Sequence, residues 1–411
     1  MIARQNRTFK TQEHAVPGGG TRSLAVLTVA LFLSYLSVAM PLSVIPAFVT
    51  RWPGYGNALA GTAVGCAFVS TILTRALAGG FADRRGGGIS MRIGLTLYAL
   101  ASLLCLLPGL AIVPPVAAFC VLIAGRLLLG VGESYTLVGM HGWGIALSGP
   151  EKAGTVLTWT GAAMYGAFAM GGPIGLAVYH ASGFSALMAL CAALPCLGFV
   201  LIRSVPAGPL VSGERSSFWP VLGLIRPYGS VIALQGVGFA VLGAFISVYF
   251  LHRHWHHGGL GLTCFGLAFV MGRLLFGHLP DRLGGLRVAL VSLAIETAGQ
   301  ICIAFAPSPS LALLGAVFTG SGCSLLYPSM GVEVVKRVSG PMRATALGGF
   351  AAFQDLSYAV SGPVAGLVSD RFGDRAMFLL GAVCAAAGLV LVTALLARGR
   401  RVPAPADDAR I

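Results

Sequence analysis

The chain has 411 residues, 56% of them hydrophobic and only 10% charged, with a formal net charge of +14 and a mean hydropathy of +0.85. A water-soluble domain carries about 25% charged residues, so this composition cannot coat a soluble globule and excludes an ordinary cytosolic enzyme. The basic excess first suggests nucleic acid, but the positions of the charges, given below, exclude that reading.

Residues 1–22 are polar, with no apolar core and no cleavage site, and are read as a cytoplasmic tail, not a signal peptide. Apolar runs of about 20 residues then recur to the end of the chain, each long enough to cross a bilayer. Twelve are expected, roughly at 24–49, 58–77, 93–113, 116–138, 154–178, 184–202, 231–250, 260–279, 288–305, 311–332, 344–368 and 376–396. With both termini placed in the cytoplasm, the tails and inner loops hold 20 Lys and Arg. The outer loops hold four, and Arg75, Arg126 and Arg273 lie within helices. That asymmetry is the positive-inside bias and sets the expected orientation. The excess charge then faces anionic inner-leaflet lipid. Nine cysteines lie scattered without a C-x-x-C and read as buried thiols.

The first run carries Ser34, Tyr35 and Ser37 ahead of Pro41 and Pro46, where freed carbonyls need a neighbour or a cavity. The second ends in RALAGGFADRRGGG, Arg75–Gly88, and RLLFGHLPDRLGG returns at Arg273–Gly285 after 198 residues. An internal repeat on this scale predicts two similar halves. In each copy Asp83-Arg84 or Asp281-Arg282 precedes a glycine turn, and the acid is placed to dock at a helix end and gate a conformational change. Gly79 and Gly86 complete the first copy.

The fourth run holds Arg126 and Glu133, seven residues apart and so on one helical face. Charges within the membrane are costly and are functional candidates by default. Gly172-Pro173 in the fifth run and Gly362-Pro363 in the eleventh are 190 residues apart, and each offers a small-residue surface for close helix packing. A Pro-, Gly- and Ser-rich segment, 206–227, is the expected linker between bundles at 23–205 and 228–397, with a second tail at 398–411. Beyond it lie Gln235, Glu296, Tyr327, Gln354 and Asp355. Asp355 needs a cation, a proton or a substrate. Glu296 reads as a static buried group. The loop HRHWHH, His252–His257, reads as solvated, with no metal site expected.

The chain has no G-x-x-x-x-G-K-[ST], no H-E-x-x-H and no G-x-S-x-G, so ATP-driven pumping and these hydrolytic chemistries are not indicated.

Twelve apolar helices, two halves and the loop sequence together resemble the major facilitator superfamily. Gly79, Asp83, Arg84 and Gly86 match its G-x-x-x-D-R-x-G-R pattern, while Gly87 and Gly88 stand where basic residues are usual. Arg126 falls at the helix-4 arginine that the family associates with proton coupling. Gly172, Pro173 and Gly175 match part of the Gly-Pro motif of antiporters. SYLSVAMPLSVIP, GRLLLGVGES, YGAFAMGGPIG and SLLYPSMGVEVVK look like the YhhS/YfcJ branch of bacterial permeases, often labelled arabinose-efflux-like.

The resemblance implies an all-α membrane protein of two six-helix bundles, with a cavity near the midplane lined by helices 1, 4, 7 and 10. Tyr35, Arg126, Gln235 and Tyr327 become candidate lining residues on that basis, with Gln354 on helix 11. Arg126, Glu133, Asp355 and Arg75 become the candidate coupling charges, and because helix 2 lies beside helix 11 in this superfamily, the resemblance implies that Arg75 and Asp355 meet across the halves, as a gate or as a permanent strut. The implied activity is alternating-access, proton-coupled export of a small molecule by a monomer in the bacterial inner membrane, without cofactor. Uptake or uniport, and a polytopic sensor or enzyme, remain the alternatives.

Overall fold

The computed structural model describes residues 19–110, 113–149, 152–208, 218–338 and 343–399. Among them the chain is all helical. The first half contains α1 (Gly19–Val49), α2 (Asn57–Arg85), α3 (Gly87–Leu106) and α4 (Pro115–Ser148). The stretch Ala153–Leu201 follows, broken at Gly183 (φ 82°) into α5 (153–182) and α6 (184–201). The second half contains α7 (Phe218–His252), α8 (Leu260–Phe276), α9 (Gly285–Ala304), α10 (Pro309–Arg337), α11 (Arg343–Phe372) and α12 (Asp374–Gly399). Among the described residues nine helical segments are long and apolar enough to cross a membrane, and residues 153–204 form one of them. That stretch of 52 residues would measure about 78 Å as a helix, more than twice a bilayer core.

Several boundaries differ from those expected. Helix α4 runs on to Ser148 and α10 to Arg337, well past their apolar runs. The expected linker is already helical from Phe218, and α7 carries Pro227 within it. Pro227 is the tenth residue of that helix, past its first turn, so it removes the bond an N–H there would make to the Gly223 carbonyl. Helix α8 stops at Phe276, and Asp281 and Arg282 sit on a separate turn, Leu279–Leu283. Pro280 is the reason: it has no N–H for the Phe276 carbonyl, whereas the first copy has Ala82 at this place and stays helical to Arg85.

Both loop copies nevertheless turn at one kind of residue. Gly86 (φ 92°) and Gly284 (φ 88°) occupy the same repeat position and adopt a conformation that costs other residues strain. The place of the missing basic residues after Gly86 is taken by packing. Trp143 of α4 lies against Gly87 and Gly88, and the Arg92 guanidinium sits 5.9 Å from its ring centroid.

Helices α1–α6 pack on one another, as do α7–α12, and the two sets meet through α2 with α11, α5 with α8 and α1 with α7. The α2–α11 seam is closest at the end of the bundle away from α1's start, termed here the distal end. A side chain on Gly61 would overlap the Gly362 carbonyl, so the Gly-Pro step of α11 allows backbone-to-backbone contact. Gly172 of α5 likewise faces Gly259 and Leu262 at the start of α8. Pro173 and Pro363 lie inside their helices.

A hydrogen-bonded latch closes this end. Asp370, at the end of α11, accepts bonds from the backbone N–H groups of Asn57 and Ala58, each at 2.8 Å, and so caps α2 from the other half. Asn57 Nδ2 donates to Ser369 Oγ (3.3 Å), Ser369 Oγ donates to Asp374 Oδ1 (2.7 Å), and His252 Nδ1 lies 2.8 Å from Asp374 Oδ2. The sequence Gly366-x-x-x-Asp370-Arg371-x-Gly373 carries the same short core as the loop motif, at the opposite end of the bundle. An acid at a helix N-terminus contributes about 0.3–2 kcal/mol. Asp370→Asn should therefore raise the population open at the distal end several-fold, seen as longer spin-label distances between the α1–α2 and α11–α12 loops. An unchanged distance distribution contradicts the latch.

Candidate functional site

The polar interior lies along the seam. Helix α4 presents Arg126 and Glu133 from one face, and both are buried, at 1% and 5% exposure. They do not pair with each other. Arg126 donates from Nε to the Ala63 carbonyl (3.1 Å) and from Nη2 to the Val64 carbonyl (3.3 Å) of α2, and Nη1 has no hydrogen-bond partner. Glu133 Oε1 accepts from the Tyr35 hydroxyl of α1 at 2.7 Å, while Oε2 has no partner. A hydrogen bond to a charged group contributes about 1.5–3 kcal/mol, so Tyr35 secures Glu133 without neutralising it.

Arg75 and Asp355 come together across the halves, with Nη2 of Arg75 2.8 Å from Oδ2 of Asp355. Neither oxygen nor nitrogen is fully satisfied: Arg75 Nε has no partner, and the 2.8 Å contact lacks the alignment of a hydrogen bond at Asp355 Oδ2. The contact is an ion pair between partly buried groups, and nothing covalent or tightly bonded prevents its separation.

A small cavity of about 20 Å³ lies between the halves beside Arg126, room for about one water. Its walls come from α1, α2, α4, α5, α7 and α11 and are mostly apolar. Four aromatic rings form a connected collar around it. Phe239 lies 5.3 Å from Phe168 and 5.1 Å from Tyr358, and Tyr358 lies 5.1 Å from Phe68, centroid to centroid.

Of the five residues expected to line a substrate cavity, Arg126 is on this wall. The other four do not line this pocket. The Tyr35 hydroxyl is engaged by Glu133. Gln235 turns into the second half, donating to Cys323 Sγ (2.9 Å) and lying 3.5 Å from Glu296 Oε1. Tyr327 packs on Phe350, ring centroids 5.0 Å apart, and Gln354 is half-buried on α11. The reason is rotation about each helix axis: membership of helix 1, 7 or 10 does not fix which face meets the cavity. Phe168, Phe239 and Tyr358 were not singled out as lining, because aromatic residues on apolar helices read first as packing.

Glu296 is fully buried, with Oε2 unpartnered, in a polar cluster with Gln235, Cys323 and Gln300. Gln300 donates to the Gly238 carbonyl and to Thr319. All of these residues belong to the second half. Among the loop residues, Asp83, Arg84, Asp281 and Arg282 are exposed at the proximal end, and Gly79 and Gly86 are half-buried.

The comparisons with known proteins agree on the superfamily. The family model of the Major Facilitator Superfamily matches residues 27–257 and 228–410. The chain belongs to the Major Facilitator Superfamily. An MFS-type transporter of Salmonella typhimurium is 42% identical over 370 residues, covering 90% of this chain and 95% of the relative. In fold the chain is similar to a bacterial homolog of the human lysosomal transporter Spinster, solved inward-facing and unoccupied (TM-score 0.76, 13% identity, 94% of this chain and 100% of that one). A D-xylose–proton symporter gives a TM-score of 0.74 at 16% identity, over 90% of this chain and 97% of that one. The protein is therefore a multi-pass membrane transporter and not an enzyme.

Removing one member of the seam ion pair strands the other. Asp355→Ala should lower thermal stability by about 1–3 kcal/mol, between the exposed and fully buried cases. The double exchange Arg75→Asp with Asp355→Arg should restore most of that loss. A double variant no more stable than either single one contradicts a direct pair.

Proposed function

We propose that the protein is a proton-coupled exporter of a small molecule in the bacterial inner membrane, working by alternating access with both termini cytoplasmic. The observation that carries this reading is the set of incompletely satisfied charges at the seam, Arg126, Glu133 and the Arg75–Asp355 pair, beside a cavity between two helical halves. A carboxylate with one oxygen unpartnered can take and release a proton. A cation–carboxylate pair spanning the halves can be made in one conformer and parted in another, which links protonation of Asp355 to the motion. The concentration of Lys and Arg at the proximal end supports the orientation, since that end then faces the cytoplasm. Export, rather than uptake, rests on the partial Gly-Pro motif of Gly172, Pro173 and Gly175 and on the likeness to arabinose-efflux-like permeases.

In this reading the distal latch and the two glycine contacts close the outer face, and the cavity exchanges with the cytoplasm. Substrate enters from the inside, the halves rock about the seam, and a proton taken up outside resets the transporter. Asp83, and in the second copy Asp281, then stabilise the opposite, inward-closed conformer from the proximal end. The two bundles, 23–205 and 228–397, move as the rocking bodies.

The test is proton movement in energised inside-out vesicles. Adding a transported compound should dissipate the pH gradient in vesicles carrying the wild-type protein. Glu133→Gln should reduce that response at least tenfold at similar membrane abundance. Transport that proceeds with no effect on the gradient would instead identify a uniporter.

A further inference from the structure

Arg75 has a second acid within reach besides Asp355. Helices α2 and α4 are bonded to each other beside it. Thr71 Oγ1 donates to the Gly130 carbonyl (3.1 Å), Ser134 Oγ donates to the Thr71 carbonyl (2.8 Å), and Thr74 Oγ1 donates to Ser134 Oγ (3.1 Å). Arg75 lies one turn beyond Thr71, and Glu133 one turn beyond Gly130, so both project from the contacting faces. Glu133 is within electrostatic reach of Arg75 and Arg126, and Asp355 is within reach of Glu133. The unused hydrogen-bonding groups are complementary. Arg75 Nε is a buried donor without an acceptor, and Glu133 Oε2 is a buried acceptor without a donor, since Tyr35 occupies only Oε1.

We propose that Arg75 is shared between the two acids, pairing with Asp355 while the halves meet at this level and with Glu133 Oε2 when they part. Arg75 and Glu133 belong to the first half, and the α2–α4 bonds keep them together as it moves. Asp355 belongs to the second half and is carried away. The arginine then keeps an ion pair in both conformers, and breaking the seam strands no cation. The acid left without Arg75 is the one favoured to hold a proton, because a lone buried carboxylate is costly. Parting the halves therefore moves the preference for a proton from Glu133 to Asp355, each exchanging its proton with water. This deepens the proton-coupled reading and rests on it for its role in transport.

The remaining groups do not duplicate Arg75. Tyr98 of α3 faces Glu133, while Tyr327 of α10 and Tyr358 of α11 face Asp355. Phenols are uncharged near neutral pH. His141, two turns along α4 from Glu133, faces Arg75 and adds no negative charge. Arg126 is on Glu133's own helix and is bonded to the Ala63 and Val64 carbonyls, so it stays with Glu133 in either conformer. Among the described residues Arg75 is thus the cation that faces both acids.

The experiment is a pH titration of the buried-acid carbonyl bands by infrared difference spectroscopy, on purified full-length protein. Wild type is compared with Glu133→Gln, Asp355→Asn and Arg75→Gln, and with each acid variant combined with Arg75→Gln. Two acids that share one cation cannot both be held ionised by it. The first proton in the wild type should therefore be taken up at least about 1 pH unit above the acid that remains in either single acid variant. The highest-pH component is then missing from both, and the wild-type titration is not the sum of the two. That departure from additivity should fall in the Arg75→Gln background. Additive titrations would overturn the proposal and leave the proton-coupled reading standing. A departure unchanged by Arg75→Gln would also overturn it, by identifying plain repulsion between the acids. No buried-acid band at any pH would overturn both. If Arg75→Gln does not fold, the two acid variants carry the test, since additivity alone is decisive against sharing.

Discussion

An ionised group inside an apolar bundle must find a partner, and the interior of this protein is arranged by that requirement. On insertion scales each such charge costs about 2.5–3.5 kcal/mol at the membrane centre. The protein meets the cost in different ways. Arg75 and Asp355 meet each other across the halves, Glu133 takes one hydroxyl, and Arg126 takes two carbonyls. Arg273, the repeat counterpart of Arg75, lies 5.3 Å from the centroid of Phe269, with Nε unpartnered. None of these arrangements satisfies every donor and acceptor. Deficits occur inside both halves, as at Glu296, and at the Arg75–Asp355 pair, and of these only that pair joins the two halves, so relative motion of the halves acts on it directly.

Close packing at the distal end gives the seam a direction. Backbones of α2 and α11 touch where glycines face, and the Asp370 cap ties the same two helices together. The contact therefore has a steric and an electrostatic component at one end, while the ion pair lies further along the same helices. Opening the distal end would lose the cap directly, and it would move Arg75 and Asp355 only through the rotation of whole helices. Individual terms of this size, about 0.3–3 kcal/mol, are small enough for a proton or a ligand to offset, which a switching protein requires.

Much of the architecture could be read from the residues alone. The 198-residue repeat, the apolar runs and the uneven Lys and Arg distribution lead to twelve helices in two halves, because each rests on a periodicity or a solvation rule. Partnerships across the chain were legible only where helix adjacency was supplied by the family resemblance, as for Arg75 with Asp355. The Tyr35–Glu133 bond joins residues 98 positions apart and depends on helix rotation that no local pattern encodes. Gln235 and Tyr327 show the same limit: their contacts with Cys323 and Phe350 depend on helix rotation and were not legible in the sequence. The Asp370 cap had a visible signal in the Gly366–Gly373 string. Its position at the far end of the bundle hid its meaning, because the motif is ordinarily read at the loop after helix 2.

The account depends most on one claim, that an interior carboxyl group takes up and releases a proton as the halves change their relation. Infrared difference spectroscopy of the purified protein across a pH jump observes this event directly, through the carbonyl stretch of a protonated acid shielded from water. Glu133→Gln and Asp355→Asn assign the signal. The account predicts a buried-acid band that appears as pH falls and is lost or altered in Glu133→Gln, with a separate component removed by Asp355→Asn. A spectrum with no such band, or one unchanged in both variants, would contradict it.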